Sequence, residues 1–175
     1  RLLAKARLRP EHHVLEIGCG WGACAIEMVR TSGCRVTAIT LSTEQLKLAT
    51  ERVHAAGLAD RITVKLCDYR DITGRFDRIV SIEMLEAVGH RFLPVFFKRL
   101  DDLLAPDGLA VLQVITIPDH RYDTYRRGCD WIQKHIFPGG HLPSLAAMAS
   151  AMARHSRLSV EALENIGPHY APTLR

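Results

Sequence analysis

Hydrophobic and polar positions along this chain fall into two alternating patterns. Short apolar or β-branched runs are typical of buried strands, and between them apolar residues recur three or four positions apart, as on one face of a helix. The predicted strands are the run that begins at Val14, then Arg35–Leu41, Ile62–Leu66, Phe76–Ile82 and Leu109–Ile117. Because strand and helix alternate throughout, we predict an α/β fold with a doubly wound, mostly parallel, Rossmann-like sheet and helices on both faces.

The helices between these strands have recognisable ends. A capping box is expected at the start of the third helix, with Ser42 and Gln45 each bonding the other's backbone. Gly33 is expected to end the second helix, and Pro106-Asp107-Gly108 to stop the fourth. The predicted helical stretches are 1–9, 23–32, 43–57 and 92–104.

Composition indicates a single globular domain. Of 175 residues, 47% are hydrophobic and 24% charged. No apolar run approaches the roughly 18–20 residues of a membrane-spanning helix, and no cleavable signal opens the sequence. The five cysteines lack paired or zinc-type spacing, so we expect reduced thiols and a soluble, cytoplasmic protein. Residues 1–175 are expected to form one domain that is a fragment, because the chain starts at Arg1 and stops soon after a turn at Gly167-Pro168.

Three alternate glycines after the first strand predict a ligand site. Gly18, Gly20 and Gly22 let the backbone adopt strained dihedrals and approach a ligand closely, and the helix that follows offers unpaired N–H groups. Glu16, two residues upstream, suits a cationic ligand group. Dinucleotide dehydrogenases favour G-x-G-x-x-G and a ribose-binding carboxylate about twenty residues on, where this chain has Thr40. The alternative is a purely structural turn.

A second group of polar residues follows the third strand. Asp68 and Tyr69 come at its carboxyl end, the edge at which open α/β sheets bind ligands, so an adenine is expected to lie there. The structural alternatives are a turn cap for Asp68 and a half-buried surface aromatic for Tyr69.

The order of motifs resembles one family. The stretches V-L-E-I-G-C-G-W-G, T-L-S-T-E-Q, D-Y-R-D, F-D-R-I-V-S-I-E-M-L-E-A-V-G and W-I-Q-K-H-I-F-P-G-G-H-L-P-S resemble those of cyclopropane-fatty-acyl-phospholipid and mycolic acid cyclopropane synthases. These are class I S-adenosylmethionine-dependent methyltransferases. The resemblance covers nearly the whole chain, and its last two motifs are the most specific.

The resemblance implies a role for each matching residue. Around S-adenosylmethionine it places Glu16, Gly18, Gly20, Gly22, Thr40, Leu41, Gln45, Asp68, Tyr69 and Ile82. In the catalytic site it places Glu86 and Tyr170, which help to hold a bicarbonate ion, together with Gln113 and the main-chain carbonyl of Ile115. The implied reaction transfers a methyl or methylene group to the double bond of an unsaturated phospholipid acyl chain. The held bicarbonate would then remove a proton to close a cyclopropane ring.

Two departures from the family pattern affect this reaction. Gln113 stands where the family has a histidine, and the family's anion-binding cysteine would precede Arg1. A glutamine amide donates hydrogen bonds but carries no positive charge. Ring closure is therefore less well supported than methyl transfer.

The segment 118–144 is predicted to be a lipid-facing insertion. It combines Tyr122, Trp131 and Phe137 with several arginines and Lys134, and the spacing of Trp131 and His135 predicts a short helix. We expect phospholipid acyl chains at the membrane surface as partners. The protein itself is expected to be cytoplasmic, peripheral to the inner face of the membrane and without a transmembrane segment. The net charge of +4 is scattered, and no nucleic-acid partner is expected.

Other functions remain open. A methyltransferase for another small molecule or for nucleic acid would show a narrow polar pocket, or a basic face with stacking aromatics. A non-catalytic cofactor-binding module would hold Glu86 and Gln113 apart. His135 and His141 lack acidic partners at metal-ligand spacing, so no metal is assigned.

Overall fold

Five parallel strands form one sheet. The computed structural model describes residues 2–169, without the side chain of His169. The strands are β1 (His13–Ile17), β2 (Arg35–Thr40), β3 (Ile62–Leu66), β4 (Phe76–Ile82) and β5 (Leu104–Gln113). Their spatial order is β3-β2-β1-β4-β5. The chain therefore winds outward from β1 to β3, returns to β4 beside β1, and continues to β5. This is the doubly wound sheet that the sequence predicts.

Seven α-helices are described within residues 2–169 around the sheet. They are α1 (Leu2–Ala6), α2 (Ala23–Ser32), α3 (Thr43–Ala55), α4 (Leu93–Leu103), α5 (Asp119–Tyr125), α6 (Trp131–His135) and α7 (Leu145–His155). Short 3₁₀ turns span Leu85–Ala87, His90–Phe92 and Gly167–His169. None of the helices described for residues 2–169 combines the length and apolar character needed to cross a bilayer.

Alternate strand residues build a core on each face of the sheet. Leu15 and Ile79 face the core that includes Phe96 of α4 and Ala151 of α7. Val14 and Val80, one position away, face the core that includes Met28 of α2. Since side chains along a strand point to opposite faces in turn, Glu16 lies on the face of Val14, against α2.

Strand β5 differs from the prediction at both ends. It begins at Leu104, which pairs with Phe76, and the register then shifts so that Arg78 pairs with Leu109. Pro106-Asp107-Gly108 thus forms an irregularity inside the strand, with Asp107 at a φ of 62°. The strand ends at Gln113, four residues before the predicted end, and the Ile117 N–H donates to the Pro143 carbonyl.

The expected capping box at α3 forms only by half. Ser42 Oγ accepts from the Gln45 N–H at 3.2 Å. The Gln45 side chain instead accepts from the Thr40 hydroxyl at 2.6 Å, and the Ser42 N–H donates to Thr40 Oγ1 at 3.1 Å. Leu41, predicted to end β2, lies just beyond it.

Candidate active site

The glycine turn joins β1 to α2 and is bonded to the neighbouring strand. Gly18, Gly20 and Gly22 have φ values of 80°, 52° and 80°, which side chains adopt only with strain. A Cβ at Gly18 would lie 2.8 Å from Met84 Cγ, and one at Gly22 would lie 3.0 Å from Ala49 Cβ. At Gly20 nothing lies within 4 Å. Two glycines are therefore required by packing, and Gly20 leaves open space at the sheet edge.

Glu16 is a buried carboxyl beneath this turn. Burial raises its pKa from 4.5 to about 8, although hydrogen bonds from the Cys24 thiol and the Ala25 N–H oppose the rise. Within residues 2–169, Glu16 Oε2 is buried without a hydrogen-bond partner. An approaching cationic group would lower this pKa and would give the unpartnered oxygen a hydrogen-bond donor.

The ends of β2 and β3 adjoin the glycine turn. The N–H groups of Gly18 and Cys19 both donate to the Ile39 carbonyl at 3.0 Å, and the Cys67 N–H donates to the Thr40 carbonyl at 3.0 Å. Thr40 is buried and bonded to Gln45, whereas Leu41 exposes 72% of its surface. Three strand ends thus form one continuous edge.

Asp68 and Tyr69 lie on this edge with partners of their own. The Asp68 carboxylate accepts two hydrogen bonds from the Arg70 guanidinium, at 2.9 and 2.7 Å, and these lower the pKa of Asp68. Half-buried Tyr69 packs edge-on against Phe96, with ring centroids 5.5 Å apart. A nucleobase at Asp68 would compete with the ion pair, and Tyr69 is anchored in the core.

The ends of β4 and β5 hold a pair of polar side chains. Ile82 pairs with Gln113 in register. Glu83 follows at a φ of 50°, its N–H donates to the Gln113 carbonyl at 2.8 Å, and its Oε1 accepts from Gln113 Nε2 at 3.0 Å. Glu83 is not among the site residues that the sequence predicts. Its only signal was a second glutamate in E-M-L-E, and the pairing with Gln113 depends on strand register.

Glu86 lies close to the end of β5. The Ile115 N–H donates to Glu86 Oε1 at 2.5 Å, and within residues 2–169 the buried Oε2 has no partner. Burial raises the pKa of Glu86, and the Glu83 carboxylate adds to the rise. The site thus contains a carboxylate that is poised to take up a proton.

The predicted site residues therefore separate into two groups. Most of the cofactor candidates lie at the ends of β1, β2 and β3, and the catalytic candidates Glu86, Gln113 and Ile115 lie at the ends of β4 and β5. Ile82, a cofactor candidate, ends β4 and lies between the groups. The two groups meet between β1 and β4, where the winding reverses, which is the place at which open α/β sheets bind ligands. Tyr170 lies outside the described residues.

A match to one family model covers the whole chain. The model described as mycolic acid cyclopropane synthetase matches residues 1–175. The chain belongs to this family of S-adenosylmethionine-dependent methyltransferases. A tuberculostearic acid methyltransferase of Mycobacterium tuberculosis is 46% identical over 175 residues, which are 100% of this chain and 41% of that protein. A cyclopropane-fatty-acyl-phospholipid synthase of Escherichia coli is 38% identical over 97% of this chain and 42% of its own length.

Solved structures of the cyclopropane synthase family show the same architecture. A mycolic acid cyclopropane synthase in complex with SAH and CTAB is 31% identical, with a TM-score of 0.88. The match covers 99% of this chain and 64% of that one. This chain thus spans about two fifths of the length of the curated relatives that it matches.

The glycine edge of this family member fits S-adenosylmethionine. Open space at Gly20 admits a ligand against the backbone, and the unpartnered Glu16 Oε2 offers an acceptor for an amino group. Glu16, Gly18, Gly20 and Gly22 would hold the methionine portion, with Thr40, Gln45 and Asp68 along the rest of the edge. When bound, S-adenosylmethionine supplies an electrophilic methyl group.

The insertion 118–144 divides into a buried and an exposed part. Tyr122, expected on the lipid side, exposes only 7% of its surface and lies on the buried face of α5. Trp131, Ile132, Ile136 and Phe137 are exposed on and after α6, and we call them the apolar patch. Helix α6 is fixed by a complete capping box between Asp130 and Gln133. The predicted helix at Trp131–His135 is confirmed.

No group of three or more histidine, cysteine, aspartate or glutamate side chains among residues 2–169 is arranged to hold a metal ion. Surface depressions of about 400 and 490 Å³ lie between α2 and α3 and near the start of β5, and no predicted site residue lines either of them.

Proposed function

We propose that this chain carries the cofactor edge and the proton-accepting carboxylate of a lipid-modifying enzyme. The enzyme would transfer a methyl or methylene group from S-adenosylmethionine to the double bond of an unsaturated phospholipid acyl chain. The observation that carries the proposal is Glu86, half-buried at the β4–β5 edge, with one oxygen on the Ile115 N–H. The two curated relatives described above, both named for lipid products, support a lipid substrate.

Positioning is the first task of the site. An alkene is a poor nucleophile, so its attack on a sulfonium methyl requires in-line alignment in a site that excludes water. The glycine turn and the β2 end fix one reactant against the backbone, and the neighbouring β4–β5 edge faces the other. The new carbon–carbon bond would form as the sulfur–methyl bond of the cofactor breaks, which would release the demethylated cofactor and leave a cation on the acyl chain.

Proton removal is the second task. A carbon–hydrogen bond of the added methyl group breaks, and its electron pair closes a three-membered ring with the cationic carbon. If a hydride first moves from the methyl-bearing carbon to the cation, the same electron pair forms a methylene double bond instead. Glu86 is suited to receive the proton, because burial and Glu83 raise its pKa and make it a stronger base than an exposed carboxylate.

The described residues do not by themselves form a bicarbonate site. Of the groups that the resemblance assigns to the anion, the Gln113 amide donates to Glu83. The Ile115 N–H, next to the carbonyl that the resemblance assigns, donates to Glu86. Two carboxylates beside a further anion would repel it. The proposed proton transfer therefore uses Glu86 alone. The assay below measures whether the reaction also requires bicarbonate.

The Glu83–Gln113 pair favours a second product. Gln113 carries no positive charge, and its amide already donates to Glu83. It is therefore less suited than a histidine to hold an anion. A methyl or methylene product that keeps the chain open is the second candidate outcome.

The apolar patch supports a lipid surface as partner. Trp131 and Phe137 expose 66% and 67% of their surfaces, and Arg127 and Lys134 on the same segment are also exposed. Aromatic and aliphatic side chains flanked by cations suit the headgroup region of an anionic bilayer.

Transfer of a labelled methyl group tests the function. S-adenosylmethionine with a ¹⁴C methyl is incubated with vesicles of unsaturated phospholipid, and vesicles of the saturated lipid serve as the matched control. Label in the unsaturated lipid alone supports the proposal. No incorporation by protein that binds the cofactor contradicts it. Parallel reactions with and without bicarbonate distinguish Glu86 acting directly from Glu86 acting through a held ion.

A further inference from the structure

Tyr122 joins two histidines in the buried part of the insertion. Its hydroxyl lies 2.8 Å from His90 Nδ1 and 2.9 Å from His141 Nε2. The three rings also pack together, with centroids of His90 and His141 5.6 and 5.5 Å from that of Tyr122. One hydroxyl therefore connects the 3₁₀ turn His90–Phe92, helix α5 and the loop after α6.

The connection closes a ring that includes Glu86. The His141 N–H donates to the Glu86 carbonyl at 2.7 Å. His90 lies four residues after Glu86 along the chain, across Gly89 at a φ of 79°. The path from Glu86 to His90, Tyr122, His141 and back to Glu86 is thus closed by three hydrogen bonds and one short segment of chain.

We propose that Tyr122 is a positioning residue for Glu86. Its hydroxyl joins His90, which lies four residues after Glu86, to His141, whose N–H binds the Glu86 carbonyl. The Ile115 N–H binds the Glu86 carboxylate. This inference rests on the proposed function of Glu86. The structural part, the closed ring, stands or fails separately.

Proton accounting limits the charge of the ring. A hydroxyl donates one hydrogen bond, so one histidine must accept from Tyr122 and the other must donate to it. Two imidazolium ions would leave the hydroxyl proton without an acceptor and would repel each other. Burial lowers the pKa of His141, and His90 and Arg126 lower it further. His141 is therefore held neutral, and the tautomers of the two imidazoles decide which of them accepts the hydroxyl proton.

Surrounding charges are consistent with this assignment. Asp123 accepts from Arg126 at 2.7 Å, so Arg126 is partly neutralised beside the ring. Arg126 lowers the pKa of Asp123, and Arg127 and His90 lower it further, so Asp123 is a carboxylate. Burial raises the pKa of Tyr122, which keeps its proton. The ring thus forms with a neutral His141 and an intact phenol.

Removal of the single hydroxyl tests the proposal. Tyr122→Phe keeps the buried ring and removes both hydrogen bonds. Tyr125→Phe is the matched control, because its hydroxyl accepts from the Leu142 N–H at 3.1 Å and takes no part in the closed ring. We expect Tyr122→Phe to lower kcat about tenfold or more, with unchanged cofactor affinity, and Tyr125→Phe to have a smaller effect.

Hydrogen exchange and imidazole ¹⁵N shifts provide readouts that do not need activity. We expect faster exchange of the His141 amide in Tyr122→Phe, and in the wild type a proton on only one of the two nitrogens His90 Nδ1 and His141 Nε2. His90→Gln, at an exposed position, is the second variant if Tyr122→Phe does not fold. Unchanged exchange of the His141 amide overturns the ring. Faster exchange with wild-type kcat overturns the positioning role, and an inactive wild type with the expected shifts overturns only the proposed function.

Discussion

The two halves of the sheet edge differ in how their polar groups are satisfied. At the ends of β2 and β3, most side chains are bonded to neighbours before any ligand arrives, as in the Thr40–Gln45 and Asp68–Arg70 pairs. At the ends of β4 and β5, Glu86 keeps a buried oxygen without a partner among residues 2–169, and Glu83 is held at positive φ. A prearranged edge suits binding, whereas a strained and incompletely paired edge suits chemistry.

The largest expected effect separates chemistry from binding. Glu86→Gln keeps the shape and the acceptor for the Ile115 N–H but removes the base. We expect turnover to fall by about 10² to 10⁴-fold, the usual scale for a positioned acid–base group, while cofactor affinity stays nearly intact. Calorimetry and the labelled-methyl assay on the same preparation measure both. Wild-type turnover in Glu86→Gln would show that this carboxylate is only part of a helical turn.

A substitution in the glycine turn is expected to weaken cofactor binding, whereas Glu86→Gln affects the chemical step. A valine at position 20 enters open space but takes a left-handed conformation, so we expect a stability loss of about 1–2 kcal/mol. Because its side chain fills the cleft, cofactor affinity should fall at least about tenfold. Gly18→Val is the comparison, since its Cβ would meet Met84 at 2.8 Å and unfolding should occur at markedly lower denaturant. Equal cofactor affinity of wild type and Gly20→Val would remove the turn from the binding site.

The protonation of Glu16 is expected to make the stability of the folded chain depend on pH. Its folded pKa of about 8 lies above the unfolded value of 4.5, so the folded chain keeps a proton that the unfolded chain releases. Stability should therefore fall as the pH rises from about 4.5 to 8, by a few kcal/mol at most. Glu16→Gln should remove this slope and be the more stable protein at pH 8. Denaturant unfolding at pH 6 and 8 measures it, and parallel losses in both proteins would contradict the assignment.

The smallest expected effect concerns the apolar patch. Anionic vesicles should bind the protein more tightly than neutral ones, and salt should weaken the difference, because the Debye length is about 8 Å at physiological ionic strength. Trp131→Ser should reduce binding to both vesicle types, and Lys134→Gln only to the anionic type. Vesicle sedimentation measures this, and equal binding to both lipids would remove the electrostatic contribution.

Local patterns in the sequence predict the bounds of β3 and β4 better than those of β5. The bounds of these two strands and the glycine turn follow from short-range signals such as apolar runs. Gly33 marks the end of α2 in the same way. Strand β5 was misplaced because Pro106-Asp107-Gly108 reads as a helix stop, although Leu104 already pairs with Phe76. The contacts of Gln113 with Glu83, and of Tyr122 with His90 and His141, join residues at least 19 positions apart. Such pairs depend on register and packing, which periodicity does not encode.

Mass spectrometry of phospholipids from cells that express the protein detects the proposed lipid product itself. We expect unsaturated acyl chains to gain one CH₂ in cells with the wild type and not in cells with Glu86→Gln. Loss of the alkene in the product would indicate a cyclopropane, and Gln113→His should then raise the share of that product. A retained alkene would indicate a methyl or methylene product. Unchanged acyl chains in cells that contain folded, cofactor-binding protein would contradict the assignment of this chain to lipid alkylation.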